Sequence, residues 1–305
     1  MRIILQFPEG LKKEALKYQE KYENEGHEVF ISSAPSYGAC DLCLDEARSI
    51  KADKIVHFGH NKFVKQDIGI EVDYIPYYLD INMSAFEHSI EQLQNYKTLA
   101  LATTVQHLHQ YGKMKELLEK KGHEVVADKG YWATEQGQVL GCDALSVKKV
   151  AHNADAVVMV GDGMFHPLAI DIEKKPVFVV HPQSGALKQI NADIDRLKKK
   201  RKANVLAGVD AKTFGILVST KVGQFNVEIA KKIKTQLEER GKKALILVAN
   251  EIEPLPLQNF MLFDCYVNTA CPRLADDTDE LGKPCLNYDQ LQESFKILDQ
   301  LKSTK

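Results

Sequence analysis

Short apolar runs alternate along this chain with segments whose apolar residues recur at helical spacing. Ile3-Ile4-Leu5-Gln6-Phe7 predicts a buried parallel strand; Leu11, Ala15, Tyr18 and Tyr22 follow as a helix stripe, and Gly26 ends that helix. Glu28-Val29-Phe30-Ile31 predicts a second strand, Leu42, Ala47 and Ile50 a second helix, and Lys54-Ile55-Val56-His57-Phe58 a third strand running into Gly59. Strand, helix, strand, helix, strand is the signature of a parallel α/β sheet with right-handed crossovers.

The order then recurs. Leu99-Ala100-Leu101-Ala102-Thr103-Thr104 is strand-like, Leu108, Tyr111, Met114 and Leu118 form the stripe, and Gly122-His123-Glu124-Val125 repeats Gly26-His27-Glu28-Val29 letter for letter. With Ala156-Val157-Val158-Met159-Val160 in the place of the third strand, the pattern predicts an internal repeat of roughly 100 residues. The last third opens with Phe214-Gly215-Ile216-Leu217-Val218, followed by Phe225, Ile229, Ile233 and Leu237, the stop at Gly241, and Ala244-Leu245-Ile246-Leu247-Val248. The expected fold is α/β: three similar parallel-sheet domains, residues 1–94, 95–208 and 209–305, in pseudo-threefold arrangement with their strand ends facing a shared centre.

Composition narrows the class. With 305 residues, 27% charged and a formal net charge of -2, the chain lacks the bulk positive charge of a nucleic-acid binder. The run Lys198-Lys199-Lys200-Arg201-Lys202 reads as a solvated helix end or linker, with a docking patch for an acidic partner as the alternative. Pro8 interrupts the N-terminal apolar run before a secretory segment can form, and no run approaches the roughly 18 apolar residues that span a bilayer. A cytoplasmic protein is expected. In a reducing compartment, six cysteines point to metal binding, catalysis or core packing rather than to disulfides.

Three cysteine stretches fall one to each third: Tyr37-Gly38-Ala39-Cys40-Asp41, Gly141-Cys142-Asp143 and Ala270-Cys271-Pro272-Arg273. Each lies near a predicted strand, and ligands of open α/β sheets bind beyond the carboxyl ends of strands. Three isolated thiolates suit an iron-sulfur cluster with one open iron better than a closed zinc site, which wants a second close pair beside Cys40 and Cys43. A redox C-x-x-C at Cys40 and Cys43 is the competing pattern; Cys43, Cys265 and Cys285 read as small buried hydrophobes.

Other polar stretches could line a pocket. Ser219-Thr220-Lys221-Val222-Gly223-Gln224, between a strand and a helix, reads as an anion-cradling turn or a simple capped helix start. Gly161-Asp162-Gly163-Met164-Phe165-His166 offers Asp162 and His166 to a ligand or is a turn needing positive φ. Arg273 reads as a carboxylate clamp or an interdomain salt bridge. His60 is a candidate site residue and His57 a strand residue, while His107 and His109 read as solvent-facing helix residues.

Together these stretches, with His57-Phe58-Gly59-His60, resemble the archaeal diphthamide synthase family, the 2-(3-amino-3-carboxypropyl)histidine synthases, in the family's order over essentially the whole chain. The resemblance implies homodimers of three similar α/β domains, a 4Fe-4S cluster on Cys40, Cys142 and Cys271, and S-adenosylmethionine bound at its open iron. It implies an external electron donor and cleavage of the sulfur to γ-carbon bond of the methionine moiety. The 3-amino-3-carboxypropyl group then joins a histidine of translation elongation factor 2. Gly38, His60, Asp162, His166, Ser219, Lys221, Gln224 and Arg273 become candidate cofactor contacts, with Gln224 and Arg273 at the amino acid end. The chain agrees in lacking the C-x-x-x-C-x-x-C loop of ordinary radical enzymes. Quinolinate synthase, a Lewis-acid dehydratase with a similar three-cysteine cluster, is the rival enzyme reading; a non-catalytic electron-transfer or scaffold subunit is the rival of another class.

Overall fold

Each of those apolar runs forms a strand, and the strands sort into three sheets. The computed structural model describes residues 1–133, 135–172, 174–276 and 280–303. In the first sheet, β1 (Arg2–Gln6), β2 (Glu28–Ile31), β3 (Lys54–Phe58) and β4 (Glu71–Ile75) run parallel in the order β2-β1-β3-β4, with α1 (Ala15–Asn24) and α2 (Leu44–Ser49) in the crossovers. After α3 (Met83–Ile90), the second sheet takes β5 (Thr98–Thr103), α4 (Tyr111–Lys120), β6 (Glu124–Val126), α5 (Leu145–Lys148), β7 (Ala156–Val160), β8 (Val177–Val180) and β9 (Leu187–Gln189). Its order is β6-β5-β7-β8-β9, parallel except for β9. Beyond α6 (Asn191–Asp210) come β10 (Thr213–Ser219), α7 (Val227–Glu238), β11 (Lys243–Ala249), α8 (Pro254–Gln258), β12 (Cys265–Asn268), β13 (Cys285–Leu286) and α9 (Tyr288–Ser303). That sheet, ordered β11-β10-β12-β13, is parallel throughout.

The repeat is therefore real at the level of topology: second, first, third, fourth strand, three times over. Two local devices recur with it. Gly26, Gly122 and Gly241 have φ of 86°, 93° and 74°, and the N–H of each bonds back into the last turn of the preceding helix, as a left-handed C-terminal cap requires. At the start of each third strand Asp53, Asp155 or Asp264 accepts backbone N–H groups at the start of the first strand, tying the two together. Two of the fourth strands escape the apolar pattern: β4 interleaves Glu71 and Asp73 with its apolar residues, and β13 has two residues, whereas β8 is apolar and buried throughout.

Side-chain alternation splits the first sheet's core between its faces. Ile3, Leu5, Val56 and Phe58 pack with Phe7 on one side, where the Phe7 and Phe58 rings stack at 4.4 Å, and Ile4, Cys43, Ala47 and Ile55 on the other.

The chain divides into two compact units, residues 1–194 and 195–305. The first contains two of the sheets, so the expected boundary near Gln94 lies inside it, between α3 and β5; the boundary near Gly208 lies inside α6. The basic run is neither helix end nor linker, since it sits in the middle of α6. Lys200 donates to the Asp276 carbonyl at 2.7 Å and Arg201 grips the Asp276 carboxylate at 2.8 and 3.0 Å, so part of the run is structural. No helix among the described residues is long and apolar enough to cross a membrane.

Candidate functional site

Cys40 lies on the loop between β2 and α2, and a buried amide at the end of β1 holds that loop down. Gln6 Nε2 donates to the Asp41 carbonyl at 2.8 Å, and its Oε1 accepts from the Cys43 N–H at 3.2 Å. The Asp41 N–H closes a turn on the Gly38 carbonyl at 2.9 Å. The same Gln6 oxygen lies 2.9 Å from His57 Nδ1, whose Nε2 lies 2.9 Å from His60 Nδ1. Because the Gln6 oxygen can only accept, His57 carries its proton on Nδ1 and, being neutral, receives one from His60. Burial depresses both imidazoles, His57 to about 3, with the neighbouring His60 adding to the shift, and His60 to about 4. The pair adds no charge near Cys40 at neutral pH.

Cys142 is held by a carboxylate instead. Leu140 and Asp143 form an antiparallel bridge across it. Asp143 Oδ2 accepts from the N–H of Trp132 and Ala133 at 2.6 and 3.1 Å, and Oδ1 from that of Leu145 at 2.9 Å. Burial alone would raise the Asp143 carboxyl, but its backbone donors outweigh burial and keep it below the ordinary range. Gly141 lets the exposed Phe165 ring lie against the backbone, since a Cβ there would stand 2.1 Å from the ring and push it aside.

Cys271 follows the third strand of its sheet rather than the second. Asn268, at the end of β12, donates through Nδ2 to the Cys271 carbonyl at 2.8 Å and accepts at Oδ1 from the Ala270 N–H at 2.9 Å. Asn287 extends the clamp, meeting Asn268 Nδ2 at 2.8 Å and donating to the Pro272 carbonyl at 2.8 Å.

The six cysteines thus fall into two classes. Cys40 and Cys271 are half-buried and Cys142 is exposed, each on a loop beyond a strand end. Cys43, Cys265 and Cys285 are buried in the cores, where burial pushes the first two thiols up to about 12 and the third higher still. Thiols so hard to ionise are poor metal ligands, whereas the accessible three are the donor type an iron-sulfur cluster takes. Taken one unit at a time, no three His, Cys, Asp or Glu side chains among the described residues gather to hold a metal ion. Cys40 and Cys142 belong to the first unit and Cys271 to the second.

The remaining candidates divide. Residues 219–224 form a turn, not a helix start, because α7 begins at Val227. Ser219 Oγ donates to the Asn250 carbonyl at 2.9 Å and accepts from the Lys221 N–H at 3.2 Å, and the Gln224 N–H closes on the Lys221 carbonyl at 2.8 Å. Lys221 is buried and paired with Glu251 at 2.5 Å, a partner the sequence reading missed. Glu251 sits on the loop after β11, the position that bears Cys40 in the first sheet. Arg273 meets Asp276 at 2.9 Å within residues 272–276, so its salt bridge is local, not interdomain. Gly163 has φ 70° and donates to Asp162 Oδ1, as the turn reading requires; exposed Asp162 faces His181 at 3.8 Å, and half-buried His166 follows in the same loop. His107 is buried, with Nδ1 2.8 Å from the Leu79 carbonyl, not solvent-facing.

Residues 7–300 match the family described as "Putative diphthamide synthesis protein". The 2-(3-amino-3-carboxypropyl)histidine synthase of Pyrococcus horikoshii is 33% identical over 95% of this chain and 84% of its own length. Subunit 1 of the Caenorhabditis elegans enzyme is 32% identical over 93% and 73%. The crystal structure of Dph2 from Pyrococcus horikoshii with a 4Fe-4S cluster superposes with a TM-score of 0.87 and 32% identity, covering 97% of this chain and 86% of that one.

Proposed function

The chain belongs to the diphthamide synthesis protein family, and from that premise we propose that it catalyses the first step of diphthamide formation, transferring a 3-amino-3-carboxypropyl group from S-adenosylmethionine to a histidine of translation elongation factor 2. The observation that carries the proposal is the division of the thiols: three accessible ones on clamped loops beyond strand ends, three locked in cores. We assign Cys40, Cys142 and Cys271 as ligands of a 4Fe-4S cluster. When bound and reduced, that cluster supplies the electron that breaks the bond between sulfur and the γ carbon of the methionine moiety.

This chain's own residues then bind and orient. Gln6, Asp143 and Asn268 fix the three loops, so the ligands need little reorganisation on metal binding. We assign Gly38, His60, Asp162, His166, Ser219, Lys221, Gln224 and Arg273 to S-adenosylmethionine. Lys221 beside Glu251 presents both charge signs, matching the carboxylate and ammonium of an amino acid. His60, kept neutral, places no competing cation near the sulfonium. The reading includes the pseudo-threefold arrangement expected from the sequence, a homodimer, an external electron donor and a cytoplasmic location.

The test is anaerobic incubation with dithionite, S-adenosylmethionine and elongation factor 2. Methylthioadenosine, together with one 3-amino-3-carboxypropyl group on a histidine peptide of the acceptor, is the expected result. 5'-Deoxyadenosine, or no cleavage by a fully loaded protein, would overturn it.

A further inference from the structure

A cleft of about 590 Å3 opens in the first unit, and none of the roles assigned above uses it. Its walls include Asn61 and Lys62 from the loop after β3, Tyr78 from beyond β4, His109 from the turn before α4, Gly112 in its first turn, and Glu135 from the loop between β6 and α5. Two of these loops also carry site residues. Asn61 follows His60 directly, and the chain from Glu135 leads to Cys142 through a stretch pinned along β5, where the Thr103 N–H bonds to the Gly137 carbonyl and the Val139 N–H to the Thr103 carbonyl, each at 2.9 Å.

The walls are braced against each other. Phe63 stacks on Trp132 at 4.5 Å, and Lys65 Nζ lies 4.8 Å from the Tyr131 ring and 4.7 Å from that of Trp132, joining the two loops. Inside, the rings of Tyr78 and His109 lie 5.0 Å apart, and His109 Nε2 is 2.9 Å from Asp80 Oδ1. The half-exposed Tyr78 ring, backed by His109, therefore offers a stacking face to a planar group. Lys62 and Glu135 are both exposed and of opposite sign, a lining that repels a polyanion on one side and accepts an N–H donor on the other. A volume in the hundreds of Å3 holds several groups rather than one ring.

We infer that this cleft seats the acceptor polypeptide, a protein loop presenting an imidazole. The inference rests on the functional reading above and names where its protein substrate enters. Glu135 takes a loop N–H, Tyr78 takes a planar side chain, and Lys62 takes a backbone carbonyl.

Gly112 makes the inference testable, because a Cβ there meets nothing within 4 Å, so Gly112→Trp fills the cleft from an exposed helix position. Binding of elongation factor 2 and of S-adenosylhomocysteine is measured separately on the reconstituted protein. Gly112→Trp is expected to weaken acceptor binding at least about tenfold while S-adenosylhomocysteine binding stays within about twofold. Glu135→Lys, on an exposed loop, is the second variant should Gly112→Trp fail to fold, with the same expectation. Acceptor binding within about twofold of wild type, or loss of S-adenosylhomocysteine binding instead, overturns the inference and leaves the functional reading standing. A wild-type protein that binds S-adenosylhomocysteine but not elongation factor 2 overturns both.

Discussion

In the first sheet, the loop carrying Cys40 is gripped by Gln6 at the end of β1, whose amide meets the Asp41 carbonyl, the Cys43 N–H and His57 Nδ1. In the last sheet, the loop carrying Cys271 is gripped by Asn268 at the end of β12, whose amide meets the Cys271 carbonyl, the Ala270 N–H and Asn287 Oδ1. The sheets share one strand order, yet the cysteine follows the second strand in the first and the third strand in the last. Where the last sheet has no cysteine, after β11, it has Glu251 paired with Lys221. The difference teaches that the repeat fixes where loops emerge, while a buried amide at a strand end decides which loop is stiff enough to present a thiol.

The strongest attempt to break that comparison is to remove the amides. Gln6→Leu strands three partners in a buried site and is expected to cost about 3 kcal/mol, with Asn268→Ala costing about 2 because its partners are only part-buried and can turn to water. Urea midpoints give the stability, and iron content after reconstitution gives the loops. Wild-type iron loading in both variants would mean the clamps do not position the thiols.

Acid separates the two regions next, because only the first rests on a neutral histidine pair. The folded values near 3 and 4 lie below the unfolded value near 6.5. The unfolded chain therefore takes up protons first as pH falls, and this contribution to stability is complete above pH ~6.5 and lost towards pH ~4. The expected loss by pH 5 is about 2 kcal/mol for each histidine, about 4 for the pair, and His60→Phe should roughly halve that slope. An equal slope in wild type and variant would remove the histidines from the account.

Asp143→Asn sharpens the contrast between an amide clamp and a carboxylate clamp. The substitution keeps the shape but turns one accepting oxygen into an NH2 that cannot accept, so the bond from Leu145 is lost and those from Trp132 and Ala133 lose their charge, at an expected cost of about 2 kcal/mol seen in thermal melts. Cys43→Ala is the smallest change, losing a buried sulfur at about 1 kcal/mol or less while iron loading stays at the wild-type level. A fall in iron would put Cys43 among the ligands.

Much of this was legible in the sequence. Apolar runs located the central strands, and the Gly26 and Gly122 stops exposed the repeat, because a buried parallel strand and a left-handed cap each demand a narrow set of residues. The clamps were not legible. Gln6 reads as one polar letter inside a strand, and its partners lie 35 to 51 residues away. The repeated Asp53, Asp155 and Asp264 could have been found, since each directly precedes or opens an apolar run. Lys221 was recognised as a charge near a turn, but its partner Glu251 lies on another strand's loop, which spacing along the chain does not reveal.

The most direct test of the account compares two cysteines six residues apart, one in β12 and one on the loop beyond it. Cys271→Ala and Cys265→Ala are reconstituted anaerobically beside wild type, and iron and acid-labile sulfide are measured per chain. The account predicts a full complement in wild type and in Cys265→Ala, and loss of cluster in Cys271→Ala. Equal loading of all three would contradict it.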